Sequence, residues 1–338
     1  MRKALMLAVV LLTGCGGGSA VTTTQPSAPT PATPAPAPPA PTSWAVSGTV
    51  VSSTDFASPI AGATLTFGDA APVTTGANGV FTIVTTDGST RPLTIAAPGY
   101  LQRETSLTGG AVRSGVLFDL IGSDPKFPLV QYRDLVRNAF QGVNPSEPSR
   151  RWTTNPNLFI WTTWMDTGAP VSPDGIEYTI AEARRAISQW SDGRLHLDQV
   201  EMSPTNRPRQ KGWINLQFNH SGNWSLLGED PGWVQLGFDH TCGSLGILHE
   251  FGHAMGYWHS RVNPSVMGGQ AGTCTSFDLT TNEKIVARAM YARAPGNLEA
   301  DKDGPAPGPP SYAIHPTSVN GALLTRPVPF LCDVLIGR

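Results

Sequence analysis

From Trp44 to about Gly122, apolar side chains recur at every second position in short runs. Trp44, Val46, Gly48 and Val50 share one face; Ala63, Leu65 and Phe67 share another. Val80 to Val84 make a third run, and Leu93, Ile95 and Ala97 a fourth. Period-two alternation marks strands with one buried face. Asn78-Gly79 and Asp87-Gly88 are the dipeptides that turn one such strand into the next. Strands at this spacing predict a small all-β sandwich over 44–122.

The period changes farther along. Residues 123–150 read as a connector with a short helix over 129–140, and a second domain is expected over 151–338. Leu158-Phe159-Ile160-Trp161 is an unbroken apolar run, the mark of a buried strand. Ile180, Ala183, Ile187 and Trp190 recur at helical spacing opposite Glu182, Arg185 and Gln189, which predicts a helix over 177–190 ended by Asp192-Gly193. Leu195 with Leu197, then Ile214, Leu216 and Phe218, then Val234, Leu236 and Phe238 predict three more strands. Thr280 and Glu283 form a capping-box pair that opens a last helix with Ile285, Val286, Ala289 and Met290 inward. The expected fold class is multidomain: an all-β sandwich followed by an α+β domain.

The first residues add an address. Arg2 and Lys3 precede an apolar stretch, Ala4 to Leu12, which is too short to cross a bilayer core of about 30 Å. Leu12-Thr13-Gly14-Cys15 follows and resembles the lipobox of bacterial lipoproteins. That resemblance implies a signal peptide over 1–15, lipid on Cys15, and a place in the bacterial cell envelope on a membrane. Residues 16–43, rich in Pro, Ala and Thr, have almost nothing to bury and read as a disordered tether. Charged residues are 14 % of the chain and the net charge is −2. Lys and Arg form no cluster, which argues against nucleic acid as a partner. Proteins or peptides remain as the expected partners, with the membrane reached through the lipid.

The chemistry is concentrated in His249-Glu250-Phe251-Gly252-His253-Ala254-Met255-Gly256-Tyr257-Trp258-His259. On a helix, His249 and His253 lie one turn apart on one face, so both imidazoles can reach one metal ion. Glu250 sits on the same turn, placed to hold a water. Ser244 reads as the N-cap of this helix. Gly256 can adopt positive φ and turn the chain sharply past the helix end, which brings His259 back as third ligand. Three protein ligands leave a fourth position open, as catalytic zinc sites do.

This stretch is a full match to the metzincin zinc signature. The resemblance implies a zinc peptidase in which His249, His253 and His259 bind Zn2+ and Glu250 is the catalytic base that takes a proton from water. It also implies a tight methionine turn below the metal, for which Met267 in Ser265-Val266-Met267-Gly268 is the candidate. Ser260, directly after the third His, resembles matrixins more than astacins. Gly269 stands where astacin-like and serralysin-like enzymes carry a tyrosine ligand, so that ligand is not expected. No Pro-Arg-Cys-Gly segment precedes the domain, so cysteine latency is not expected. His196, His220 and His240 are scattered and make no second zinc site. Asp301 and Asp303 could touch calcium, but a plain turn is the better reading. The segment over 44–122 resembles the carboxypeptidase-regulatory-like sandwich, with Ser47-Gly48-Thr49-Val50, Pro59-Ile60-Ala61-Gly62-Ala63 and Pro98-Gly99-Tyr100 as its marks.

With Cys15 lipidated, Cys242, Cys274 and Cys332 remain. An oxidising compartment permits a bridge. Cys242 with Cys274 is the preferred pair, though three pairings are open. The function expected is a membrane-tethered endopeptidase acting on extracytoplasmic proteins, with Leu216 and its strand available to pair with an extended substrate. The alternative is a surface binding or adhesion lipoprotein whose zinc site is structural or vestigial.

Overall fold

The computed structural model describes residues 43–86, 88–142, 147–237, 243–268 and 278–304. Seven strands come first: β1 (Trp44–Ser52), β2 (Thr64–Phe67), β3 (Val73–Thr74), β4 (Val80–Thr85), β5 (Thr90–Ala96), β6 (Arg103–Thr108) and β7 (Arg113–Leu120). They make two sheets, ordered β4-β1-β7 and β3-β2-β5-β6. Alternate residues of both sheets, among them Val46, Val50, Leu65, Phe81, Leu93 and Phe118, meet in one apolar cluster. One pairing departs from an antiparallel pattern: β7 runs parallel to β1. The polar strand β6 escaped the alternation because Arg103, not an apolar residue, occupies an inward position and meets Asp119 there.

The short helix expected within the connector over 123–150 is α1 (Leu129–Arg137), which buries Leu129, Tyr132, Leu135 and Val136 in the same cluster as the chain that follows. This helix ends earlier than its apolar residues suggest, because Asn138 turns left-handed at φ 57°.

The third sheet has the order β11-β12-β10-β8-β9. Its strands are β8 (Asn157–Trp164), β9 (Val200–Ser203), β10 (Trp213–Phe218), β11 (Trp224–Ser225) and β12 (Gly232–Leu236). Strands β8, β9, β10 and β12 are mutually parallel where they pair, and β11 is antiparallel to β12. Leu195 and Leu197 are buried but precede β9 rather than form it. Strand β10 lies in the middle of the sheet, paired to β12 on one side and β8 on the other. Its ladder groups are therefore taken, and Leu216 cannot offer an edge to a substrate. Helix α2 (Pro173–Trp190) starts four residues before the expected point, where Ser172 accepts from the Gly175 amide and Pro173 opens the first turn. Two further helices, α3 (Gly243–Ala254) and α4 (Thr281–Tyr291), complete the order. Among the described residues no helix is long and apolar enough to cross a membrane.

The two apolar clusters meet at a buried charged junction. Asp119 at the end of β7 takes Arg293, just past α4, and Arg103 Nη1 at 2.6 Å. Arg293 also holds Asp301 through two bonds of 2.8 Å, from Nε and Nη2. Burial alone would raise the Asp119 carboxyl; the two guanidinium groups outweigh it and hold the group below its ordinary range. Both Asp301 oxygens are thus engaged by Arg293, and Asp303 accepts from Asn297.

Candidate metal centre

Helix α3 carries His249, Glu250 and His253, all buried. Several side chains fix its backbone. Trp190 Nε1 donates to Leu248 O at 2.8 Å, Ser225 Oγ to Glu250 O at 2.9 Å, and Trp152 Nε1 to Ala254 O at 2.9 Å. Ser244 does not cap the helix. It lies inside the first turn, where it donates to Glu182 and accepts from Arg185 of α2.

The helix stops at Gly256, whose φ is 107°. A side chain there would be strained in φ, and its Cβ would stand 1.8 Å from the Arg150 carbonyl oxygen. The Tyr257 amide bonds back to Gly252 O at 3.0 Å, and the chain then delivers His259 to the other two histidines. Gly252, a variable place in the zinc signature, is also constrained. A Cβ on it would lie 2.6 Å from Met267 Sδ and 2.9 Å from the Trp190 ring. Met267 is fully buried in the turn below the helix.

The ring centroids of His249 and His253 are 4.8 Å apart, those of His253 and His259 4.7 Å, and those of His249 and His259 5.3 Å. One nitrogen from each lies within 4.8 Å of the others. Each Nδ1 faces an oxygen: Val266 O at 2.7 Å, Tyr257 O at 2.7 Å, and Gln141 Oε1 at 2.5 Å. Carbonyl oxygens only accept, so each Nδ1 carries the proton and each Nε2 presents its lone pair. Burial lowers the pKa of all three rings. For His253 burial, with repulsion from His249 added, brings it to about 3. The rings are therefore neutral at physiological pH, the form in which imidazole binds metals.

The donor set suits a zinc-like ion. Tetrahedral bonds of about 2.0–2.1 Å place ligand nitrogens about 3.3 Å apart. The Nε2 atoms of His253 and His259 are 3.2 Å apart. Beside them, Glu250 Oε2 is buried and has no hydrogen-bond partner among the described residues. Burial pushes the Glu250 carboxyl up to about 8, with Ser225 opposing in part. A divalent charge nearby acts in the opposite direction and favours the carboxylate.

Residues 177–265 match the family model of the Astacin peptidase family. This stretch runs from α2 through α3 to the third histidine and beyond it. The chain is also similar to "Zinc metalloproteinase nas-36" of Caenorhabditis elegans, at 30 % identity over 93 residues. The same-named protein of Caenorhabditis briggsae is 29 % identical over 93 residues. Each match takes in 27 % of this chain but only 14 % of the relative, so the chain spans a small part of those proteins. Among solved structures, a type II cohesin–X-dockerin complex from Acetivibrio cellulolyticus is similar at 19 % identity, with a TM-score of 0.19. That likeness covers 23 % of this chain and 56 % of the other. The matched family is thus a metzincin one, and its branch is astacin rather than matrixin. Ser260, which resembles the matrixin pattern in sequence, serves the local turn. Its amide donates to Met267 O at 3.0 Å and its Oγ accepts from Val262 N at 3.1 Å.

The other sequence candidates lie elsewhere. His220 stacks on Trp164 with centroids 3.8 Å apart and bonds Asp166, and His196 bonds Asn155; neither belongs to the histidine cluster. Residues 1–42 with Cys15, and also Phe238, His240, Gly269, Cys242, Cys274 and Cys332, lie outside the described residues. Two residues about the site escaped the sequence reading. One is Gln141, under His259. The other is Glu283, expected only as a cap. Its Oε2 completes the capping box with Thr280, while its Oε1 accepts from Ser265 Oγ and Val266 N, both at 2.7 Å. Val266 O in turn holds His249.

Proposed function

We infer that this chain is a zinc-dependent endopeptidase in which His249, His253 and His259 hold the ion and Glu250 is the general base. The observation that carries the reading is the meeting of three neutral imidazoles beside a buried carboxyl group. The astacin-family match over the same residues supports a peptidase. When bound, zinc supplies a Lewis acid for a scissile carbonyl and lowers the pKa of water. Glu250, one position from His249 on the same turn, takes the proton of the attacking water and passes it to the leaving amine. Desolvation raises the proton affinity of the carboxylate, which suits it to take the proton from water.

Strand β11 is a sheet edge, and Ser225 within it is bonded to the Glu250 carbonyl. An extended peptide can add to such an edge through main-chain bonds, which the central β10 cannot accept. The astacin branch is the better supported one, with Gly269 as a departure at the tyrosine place. The lipobox-like Leu12-Thr13-Gly14-Cys15 supports a lipid-anchored protein of the cell envelope that acts on extracytoplasmic proteins. The two N-terminal sheets fit a carboxypeptidase-regulatory-like sandwich that serves as a spacer and stability module.

The test is cleavage of a peptide library by the purified chain, with and without a chelator. Glu250→Ala is expected to keep one zinc per chain and to lose turnover by about 10²-fold or more. Undiminished, chelator-insensitive cleavage by that variant would remove the mechanism. Zinc uptake with no cleavage by the parent chain would favour a binding protein with a vestigial site.

A further inference from the structure

We propose that Gln141 is a positioning residue for the third ligand: it accepts the Nδ1 proton of His259 and so aims the Nε2 lone pair at the point shared with His249 and His253. The inference rests on reading the triad as a metal centre.

Two of the three rings are oriented by backbone. His249 leans on the Val266 carbonyl and His253 on the Tyr257 carbonyl, both close to α3. His259 lies past Gly256, on a loop without a helix of its own. Its Nδ1 acceptor among the described residues is a side chain 118 positions earlier, the Gln141 amide oxygen at 2.5 Å.

The loop that carries His259 is seated on the same element. The Trp258 amide donates to Leu135 O of α1 at 2.8 Å. The Arg261 amide donates to Asp134 Oδ2 at 3.0 Å, and its guanidinium reaches Asp134 Oδ1 and Ala139 O, each at 2.8 Å. Asp134 is fully buried. The backbone on both sides of His259 is thus pinned to α1 and the turn after it. Asn138, left-handed and accepting from the Gly142 amide at 2.9 Å, shapes the turn that presents Gln141. A glutamine suits the place because its oxygen accepts a proton without adding charge to the site. This support comes from residues 129–142, outside the stretch that matches the family model.

The test uses the full chain and three variants: Gln141→Ala, Gln141→Glu and Gln141→Lys. Zinc affinity is read by competition with a chromophoric chelator, and ligand geometry by the absorption spectrum of the cobalt-loaded protein. Gln141→Ala and Gln141→Lys are expected to bind zinc about 10–100-fold more weakly, the range typical for loss of such an outer partner. Both should shift the cobalt spectrum. Gln141→Glu, which keeps an acceptor oxygen, should restore affinity and spectrum. Gln141 is exposed, so the metal-free variants should unfold at the parent temperature. Parent-like affinity and spectrum in Gln141→Lys would overturn the inference while leaving the metal centre intact. A parent chain that takes up no zinc would overturn both.

Discussion

Glu250 and the three imidazoles are pushed by the same burial in opposite directions, and the metal-free protein should show it. Glu250 has a folded pKa of about 8 against an ordinary 4.5. Its contribution to stability is therefore full below pH 4.5 and lost as pH rises toward 8. His253 falls to about 3 from 6.5, so its contribution is full above pH 6.5 and lost as pH falls toward 3. Metal-free Glu250→Gln should be more stable than the parent at about pH 8.5, by on the order of a few kcal/mol, with the gap closing toward about pH 4.5. Urea unfolding across this range checks it; parallel curves for the two proteins would contradict it. At this scale the sequence was most legible in the stretch 249–259, because helical spacing puts His249 and His253 on one face and Gly256 can turn the chain to bring in His259. Gln141 was not legible, since no periodicity links two residues 118 positions apart. Ser244 was misread as a cap because a short hydroxyl side chain caps, bridges and turns with equal ease.

Helix α4 shows how one element supports another. Glu283 divides its oxygens between its own N-cap and the methionine turn, and the turn holds His249 through Val266. Removing the carboxylate leaves the Val266 amide and Ser265 hydroxyl buried without an acceptor. Glu283→Ala should cost roughly 2–4 kcal/mol and weaken zinc binding. Thr280→Ala, which removes only the cap, should cost about 1 kcal/mol and spare the metal. Thermal unfolding and zinc titration of both variants check this, and equal effects would contradict it. The sequence placed the long helices well because amphipathic spacing survives over several turns. It erred where strands were short or central. Strand β11 has two residues, too few for a period to show. Strand β10 buries Ile214 through Phe218 without alternation, the mark of a strand covered on both faces.

At the scale of the whole molecule, the composition change near residue 122 suggests two independent halves. The buried charges argue for a firm junction. Asp119, Arg103, Arg293 and Asp301 are all buried, yet as isolated letters they read as solvated surface. Asp119→Ala leaves Arg103 buried without a carboxylate and Arg293 with Asp301 alone, and should cost about 3–5 kcal/mol. Calorimetry should show one transition for residues on both sides of the junction in the parent chain; two well-separated transitions would contradict a rigid junction. The metal centre is also best tested on the whole chain, by elemental analysis of purified protein after dialysis against zinc. One zinc per chain is expected, lost in His259→Ala together with chelator-sensitive peptide cleavage. A parent chain that retains no zinc, or a His259→Ala variant that holds it as tightly, would contradict it.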